Sequence, residues 1–368
     1  MKYTFLLSAL LALAQAGPVN HSHELQKRSS CTITTSNLSN IASIKKSCTS
    51  IIVDGVTVPA KETLDLTGLK SGTTVTFEGT TTFEYAAWTG PLIAVSGSDV
   101  TITGSSGHVI NGNGAKWWDG KGSNGGVKKP KFFSAHSLSS NSVIENLNIK
   151  NTPVQGFSIY GVDGLTIDSV TIDNSDGDSD GGHNTDGFDI GSSNNVIIQN
   201  CIVKNQDDCL AINSGTEIQF LNNQCSGGHG ISIGSVGGRS NNVVSGVTVS
   251  GNTVTDSANG IRIKTVYGAT GSVKNITYKN NKISEISKYG IVIEGDYENG
   301  SPTGTPTGGV PITDLTVSGL TGSVDSSAQP IYILVKNASG WTFSDIDITG
   351  GKSSKTCEGI PSGAGVSC

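Results

Sequence analysis

The 368-residue chain carries 24 Lys+Arg against 30 Asp+Glu, a formal net charge of −6, with only 15% charged residues and 49 glycines. An acidic chain without a basic stretch excludes a nucleic-acid binder, and so few charges exclude an acidic disordered protein. A single Met and the lack of Ala/Glu/Lys/Leu-rich runs exclude a helical bundle, while 35% hydrophobic residues suffice for a large core.

The first predicted element is not part of the fold. Phe5 to Ala16 is almost wholly apolar, too short to span a bilayer, and ends in the small-x-small sequence Ala14-Gln15-Ala16. Residues 1–16 therefore read as a secretory signal peptide. A polar stretch, 17–28, ends in the dibasic pair Lys27-Arg28 and reads as a propeptide, leaving 29–368 as one mature domain. No other stretch approaches membrane-spanning length, so the expected product is secreted and makes no use of a membrane.

Seven Cys fit an oxidising compartment. Proximity in sequence pairs Cys31 with Cys48, Cys209 with Cys225 and Cys357 with Cys368, leaving Cys201 free and buried. No CxxC occurs, which argues against zinc. Sequons stand at Asn37, Asn275, Asn299 and Asn337.

A brief helix is predicted near Asn37–Ser47. From about residue 95 onward the chain becomes short β-branched runs between Gly/Asn/Ser/Asp turns, with no 3.6-residue period. One set of runs includes Val143–Ile149, Leu165–Ile172, Val196–Ile202, Val247–Val254 and Ile276–Ile283. A second set superimposes residue by residue: Gly156-Phe-Ser-Ile159, Gly187-Phe-Asp-Ile190, Cys209-Leu-Ala-Ile212, Gly230-Ile-Ser-Ile233, Gly260-Ile-Arg-Ile263 and Gly290-Ile-Val-Ile293. Their first residues are separated by 31, 22, 21, 30 and 30 positions. Such periods mean stacked repeats, and strands this short leave no room for crossover helices. The expected fold is all-β, a right-handed parallel β-helix in a single domain. A propeller or sandwich would instead show two-residue hairpin turns. Turn residues Asn146, Asn200, Asn222, Asn252 and Asn280 are expected to stack as side-chain ladders.

Stacking brings distant residues together, because equivalent positions in successive coils lie about 4.7–4.9 Å apart. The residue before each run of the second set gives the column Gln155, Asp186, Asp208, His229, Asn259 and Tyr289. Two positions into the run the column is Ser158, Asp189, Ala211, Ser232, Arg262 and Val292, and four positions in it includes Asn213 and Lys264. Side chains alternate along a strand, so the latter two positions share the face opposite the buried Ile residues, and the residue before the run, which lies in a turn, is taken to aim the same way. Asp186, Asp207, Asp208, His229, Arg262 and Lys264 are thereby expected in one patch.

Three crowded carboxylates separate an acid from a base, the requirement for cleaving a glycosidic bond. A cation site is the competing reading of crowded acids. The stretch Asp173–Asp180 has a cation-binding composition, but it lacks the closing Glu of an EF-hand and reads as a solvated loop. His229 between Gly228 and Gly230 is expected to tune the protonation of the acids. Two positive charges on an acidic protein imply a substrate carrying carboxylates, with Arg262 as a bidentate clamp and Lys264 as a point charge; salt bridges to Asp189 or to the patch acids are the alternative.

The motifs Asn184-Thr-Asp-Gly-Phe-Asp189, Asn205-Gln-Asp-Asp-Cys209, Gly228-His-Gly230 and Arg262-Ile-Lys264, in that order, together with Asp296-Tyr-Glu298, resemble the fungal polygalacturonases of glycoside hydrolase family 28. The resemblance implies hydrolysis of α-1,4-linked galacturonan, polygalacturonate or pectate, with inversion. It assigns Asp207 as proton donor, Asp186 and Asp208 as the pair acting on the attacking water, and His229 as keeper of the acid's protonation. Arg262, Lys264 and Tyr297 become substrate contacts, and Asn184 either a substrate contact or a brace of its turn. It also implies the three disulfides named above, no metal or cofactor, a monomer, and recognition by plant polygalacturonase-inhibiting proteins. Many family members carry a further short-loop disulfide before the last pair, whereas this chain has no Cys between Cys225 and Cys357. A calcium- or Arg-dependent pectate or pectin lyase shares the fold and is the second enzyme reading; a carbohydrate-binding solenoid is the non-enzymatic one, for which the stacked acids have no purpose. The intact Arg262-Ile-Lys264 argues against a rhamnogalacturonan hydrolase.

Overall fold

The computed structural model describes residues 31–299 and 301–368; the expected signal peptide and propeptide lie outside them. Short strands stack in parallel, coil upon coil, into the right-handed parallel β-helix that the repeat period predicts. Phe157 pairs with Phe188, Phe188 with Leu210, Leu210 with Ile231, Ile231 with Ile261 and Ile261 with Ile291, so the second set of runs superimposes without slippage. This column and the next inward one, Ile159, Ile190, Ile212, Ile233, Ile263 and Ile293, are buried throughout. Phe133, Phe157 and Phe188 stack with ring centroids 4.7 and 5.3 Å apart. Each large apolar side chain removed from water contributes about 1.5–3 kcal/mol. A one-residue slip would turn both columns outward, so the core itself enforces the register of the cleft face.

Coiling begins before the runs recognised in the sequence from about residue 95. Ser50–Asp54 already pairs with Thr74–Glu78, and that strand with Thr101–Gly104. These first strands, Ser50-Ile-Ile-Val-Asp54 and Thr74-Val-Thr-Phe-Glu78, lack the Gly-led run that marks most of the later coils. Ahead of them a 3₁₀ turn, Thr35–Asn40, and the α-helix Ile41–Ser47 confirm the expected helical segment, which buries Ile41 and Ile44 at the end of the core. Among the described residues, no helix is long and apolar enough to cross a membrane.

The asparagine ladder is real but mostly one residue displaced. Asn146, Asn200, Asn222 and Asn280 occupy left-handed turn positions with φ of 53–56°. The buried ladder runs through Asn223, Asn252 and Asn281. Asn281 Oδ1 accepts from the backbone N and Nδ2 of Asn252, Asn252 Oδ1 accepts from the same two atoms of Asn223, and Asn223 Oδ1 accepts from Cys201 N. Of the five predicted rungs only Asn252 is one. The left-handed position tolerates Asn for its backbone, while the next position needs a buried carboxamide to satisfy main-chain groups.

The disulfides Cys31–Cys48, Cys209–Cys225 and Cys357–Cys368 form as expected, and Cys201 is free and buried. The C-terminal segment is held by Gln329, buried at 2% exposure, whose Nε2 donates to Ile331 O and Lys355 O while its Oε1 accepts from Lys355 N.

Candidate active site

The cleft face carries the columns read from the sequence: Ser158 pairs with Asp189, Asp189 with Ala211, Ala211 with Ser232, Ser232 with Arg262, and Lys264 with Glu294. Asp207 and Asp208 occupy the turn just before the strand Leu210–Ile212. Buried Asn205 shapes this turn, its Nδ2 donating to Thr185 O, Asp207 O and Asp208 O, each at 3.0 Å. The Cys209–Cys225 bridge ties the same turn to the neighbouring coil. Gly228 is required here, since a Cβ would lie 2.0 Å from Asp207 O. That close approach lets His229 N donate to Asp207 O at 2.8 Å and sets the imidazole beside the carboxylate.

Asp207 is almost fully engaged. Its Oδ1 lies 3.0 Å from His229 Nδ1 and accepts from Asp208 N at 2.7 Å, while its Oδ2 accepts from Asn184 Nδ2 at 2.8 Å. Burial pushes its carboxyl up, but the His229 hydrogen bond and the charges of His229 and Lys264 outweigh this and hold it at about 2. Asp208 Oδ1 accepts from Ser232 Oγ at 2.7 Å, and its Oδ2 is ion-paired with Lys264 Nζ at 2.5 Å. Asp186 and Asp189 lie beside them. Burial, with the neighbouring acids, raises Asp186 well above the usual carboxylate range, Asp189 being the largest of those charges. Burial likewise raises Asp189 to about 7 against the pull of Lys131. Acid and base character are thus separated, with the carboxyls of Asp186 and Asp189 raised and that of Asp207 lowered.

Arg262 directs Nε and Nη2 to one oxygen of Glu294, at 3.0 and 2.6 Å, and both Arg262 and Lys264 lie over the Tyr297 ring. In the free cleft the two cations are therefore already paired, Lys264 with a patch acid as the alternative reading had it, and Arg262 with Glu294 rather than Asp189. Glu294 went unrecognised in the sequence, although it stands four positions into the Gly290 run, in the Lys264 column. All eight expected site residues line two adjoining hollows of about 640 and 460 Å³, and Asn184, Asp207, Lys264 and Tyr297 border both.

The acidic stretch from Asp173 forms a short helical turn, Gly177–Asp180, whose carboxylates are used locally. Asp173 accepts from Ser175 and pairs with Lys204, Asp176 accepts from Asn151, and Asp178 accepts from Gln206. Among the described residues, the one cluster able to offer three ligand atoms to a metal is Asp207, Asp208 and His229 themselves. There Lys264 already occupies an Asp208 oxygen, so the donor set suits proton chemistry better than a cation.

The model of glycosyl hydrolases family 28 matches residues 48–368. The chain belongs to that family. It is 58% identical over 365 residues to a polygalacturonase of Saccharomyces cerevisiae, covering 99% of both chains. It is 56% identical over 368 residues to endopolygalacturonase 1 of Colletotrichum lindemuthianum, covering both chains completely. Among solved structures it resembles endopolygalacturonase I of Stereum purpureum complexed with two galacturonates, at a TM-score of 0.76 and 40% identity over 88% of this chain and 95% of that one. The family of glycoside hydrolases and the chemistry expected of the stacked acids therefore coincide.

Proposed function

We propose that the protein is a secreted endopolygalacturonase that hydrolyses α-1,4 bonds between galacturonates of polygalacturonate with inversion, acting as a monomer. The observation that carries this reading is the meeting, in one cleft, of Asp186, Asp207, Asp208 and His229 with the cations Arg262 and Lys264. Relatives named polygalacturonase and endopolygalacturonase over the full chain support the substrate, and three disulfides support export to an oxidising compartment.

Asp207 donates the proton to the leaving glycosidic oxygen. In the free cleft Lys264 and His229 hold that acid low; a galacturonate carboxylate arriving at Arg262 and Lys264 offsets the positive charge and excludes water, so Asp207 gains its proton as substrate binds. His229 supplies the hydrogen bond that sets the exchange. Asp208, ion-paired to Lys264, and Asp186 hold the attacking water on the opposite side of the sugar, and Asp208 carries the negative charge of that pair. Tyr297 covers the cations and contacts the same sugar. Hollows on both sides of Asp207 accommodate a chain extending past the scissile bond in both directions, as internal cleavage requires.

A time course of products from polygalacturonic acid tests the reading. Early oligomers of mixed length, with saturated ends and no ultraviolet absorbance, are expected. Unsaturated products or loss of activity in chelator would establish a lyase instead, and binding without release of reducing ends a carbohydrate-binding solenoid.

A further inference from the structure

Between the strands Val109–Asn111 and Phe133–Glu145 the chain leaves the coil in an excursion over 112–132. The excursion is fastened at several points. Trp117 Nε1 donates to Ala86 O and Trp118 Nε1 to Thr152 O, both buried, and Gly120 N donates to Gly181 O. Lys129, its side chain 2% exposed, pairs with Asp119 at 2.7 Å, and Asp119 also accepts from Lys121 N and Val127 N. Its tip reaches the cleft. There Asn184 Oδ1 accepts from Ser123 N at 3.0 Å, Ser123 Oγ at 3.1 Å and Asn124 Nδ2 at 3.3 Å, while Asn184 Nδ2 donates to Asp207 Oδ2 at 2.8 Å. Gly122 allows this approach: its φ is +54°, and a Cβ there would lie 2.4 Å from Asn184 Oδ1.

A carboxamide can face Asp207 with either its oxygen or its NH₂ group, and the two orientations have opposite effects on a carboxylate. Ser123 N–H is a backbone donor that cannot accept, so it fixes which end of Asn184 is the oxygen. The reversed amide would set donor against donor at Ser123 and oxygen against carboxylate at Asp207. We propose that Ser123 and Asn124 are positioning residues for the reaction: from a remote excursion they lock the Asn184 amide so that it donates to the oxygen of Asp207 not engaged by His229. The excursion thereby keeps one donor on Asp207 Oδ2 against two on Oδ1, so that Oδ2 has a lone pair left to carry the proton, and it sets how readily the carboxyl ionises, since a donor to the charged form favours it.

The inference rests on Asp207 being the proton donor, and the experiment separates the two. Ser123→Pro/Asn124→Ala removes all three donors to Asn184 Oδ1, the Ser123 N–H included, without touching the coils. Expected are an unchanged melting temperature, a roughly three- to tenfold fall in kcat, and an alkaline limb of the kcat–pH profile moved up by about half a unit. Ser123→Ala/Asn124→Ala, which restores the backbone N–H alone, should recover most of both changes. An unmoved alkaline limb overturns the proposal, whether kcat falls or not, and so does a kcat loss that tracks a lowered melting temperature. Asp207→Asn measured alongside identifies which idea failed: retained turnover there discredits the donor assignment, whereas an inactive Asp207→Asn with an unmoved limb in the double variant discredits the locking role alone.

Discussion

Lys264 Nζ lies 2.5 Å from Asp208 Oδ2, joining residues 56 apart in sequence, with side-chain exposures of 8% and 2%. The pair closes the floor of the cleft across two coil boundaries. It also explains how the free protein tolerates its crowded acids, because the lysine neutralises one carboxylate and helps to hold a second, Asp207, in its ionised form.

Lys264→Ala is expected to weaken both substrate binding and the fold. Removing one partner of a buried pair strands the other, at a cost of about 3 kcal/mol, and the lost cation should raise KM for polygalacturonate roughly tenfold. Denaturant melts and steady-state kinetics on the same preparation check the two effects. A variant with parental stability and parental KM would remove Lys264 from both roles.

Asp207→Asn keeps the size of the side chain and removes the dissociable proton. Release of reducing ends should drop roughly 10²–10⁴-fold with the circular-dichroism melt little changed. Turnover within a few-fold of the parent would show that another group protonates the leaving oxygen.

Stability should peak in mildly acidic solution. Asp189 is raised from 3.8 to about 7 and Asp186 moves the same way. Over that interval the folded chain holds more protons than the unfolded one, and stability falls as pH rises. Asp207 and Asp119, both held at about 2, act in the opposite sense: between about 2 and 3.8 the unfolded chain binds more protons, so stability falls as pH drops. Thermal melts should therefore show a maximum near about pH 4, and Asp189→Asn should flatten the decline above it. A melting temperature that climbs steadily from pH 4 to 7 would contradict the assignment of retained protons.

Breaking the Cys209–Cys225 bridge should damage the cleft as well as the fold. The bridge spans 16 positions, for which the loop-closure cost is about 3 kcal/mol, and Cys209 directly follows Asp208. A Cys209→Ser/Cys225→Ser variant is expected to melt earlier and to lose activity at temperatures where it remains folded. Full activity below the melting transition would mean that Asn205 alone maintains the turn.

The repeats at Gly156, Gly187, Cys209, Gly230, Gly260 and Gly290 made the coil register legible, and with it the meeting of Asp186, Asp207, Asp208, His229, Arg262 and Lys264. A period is a property of the chain itself, and one buried face per strand allows a single alignment. Proximity in sequence also yielded all three disulfides. The early coils go unannounced because they lack the Gly-led run of the later repeats, and the ladder lies one position from the predicted rungs because a left-handed turn and a buried rung are both filled by Asn.

What the amino-acid order determined by itself was the solenoid, its register and the set of side chains sharing the cleft, since stacked coils convert sequence period into spatial column. How those side chains are partnered follows from the folded arrangement alone: Lys264 on Asp208, Arg262 on Glu294, the carboxyls of Asp186 and Asp189 raised by burial, and Asn184 gripped by Ser123 from an excursion with no repeat to announce it. Such pairings depend on rotamers and burial across non-repeating turns, where differences of a few tenths of an ångström separate a hydrogen bond from a gap.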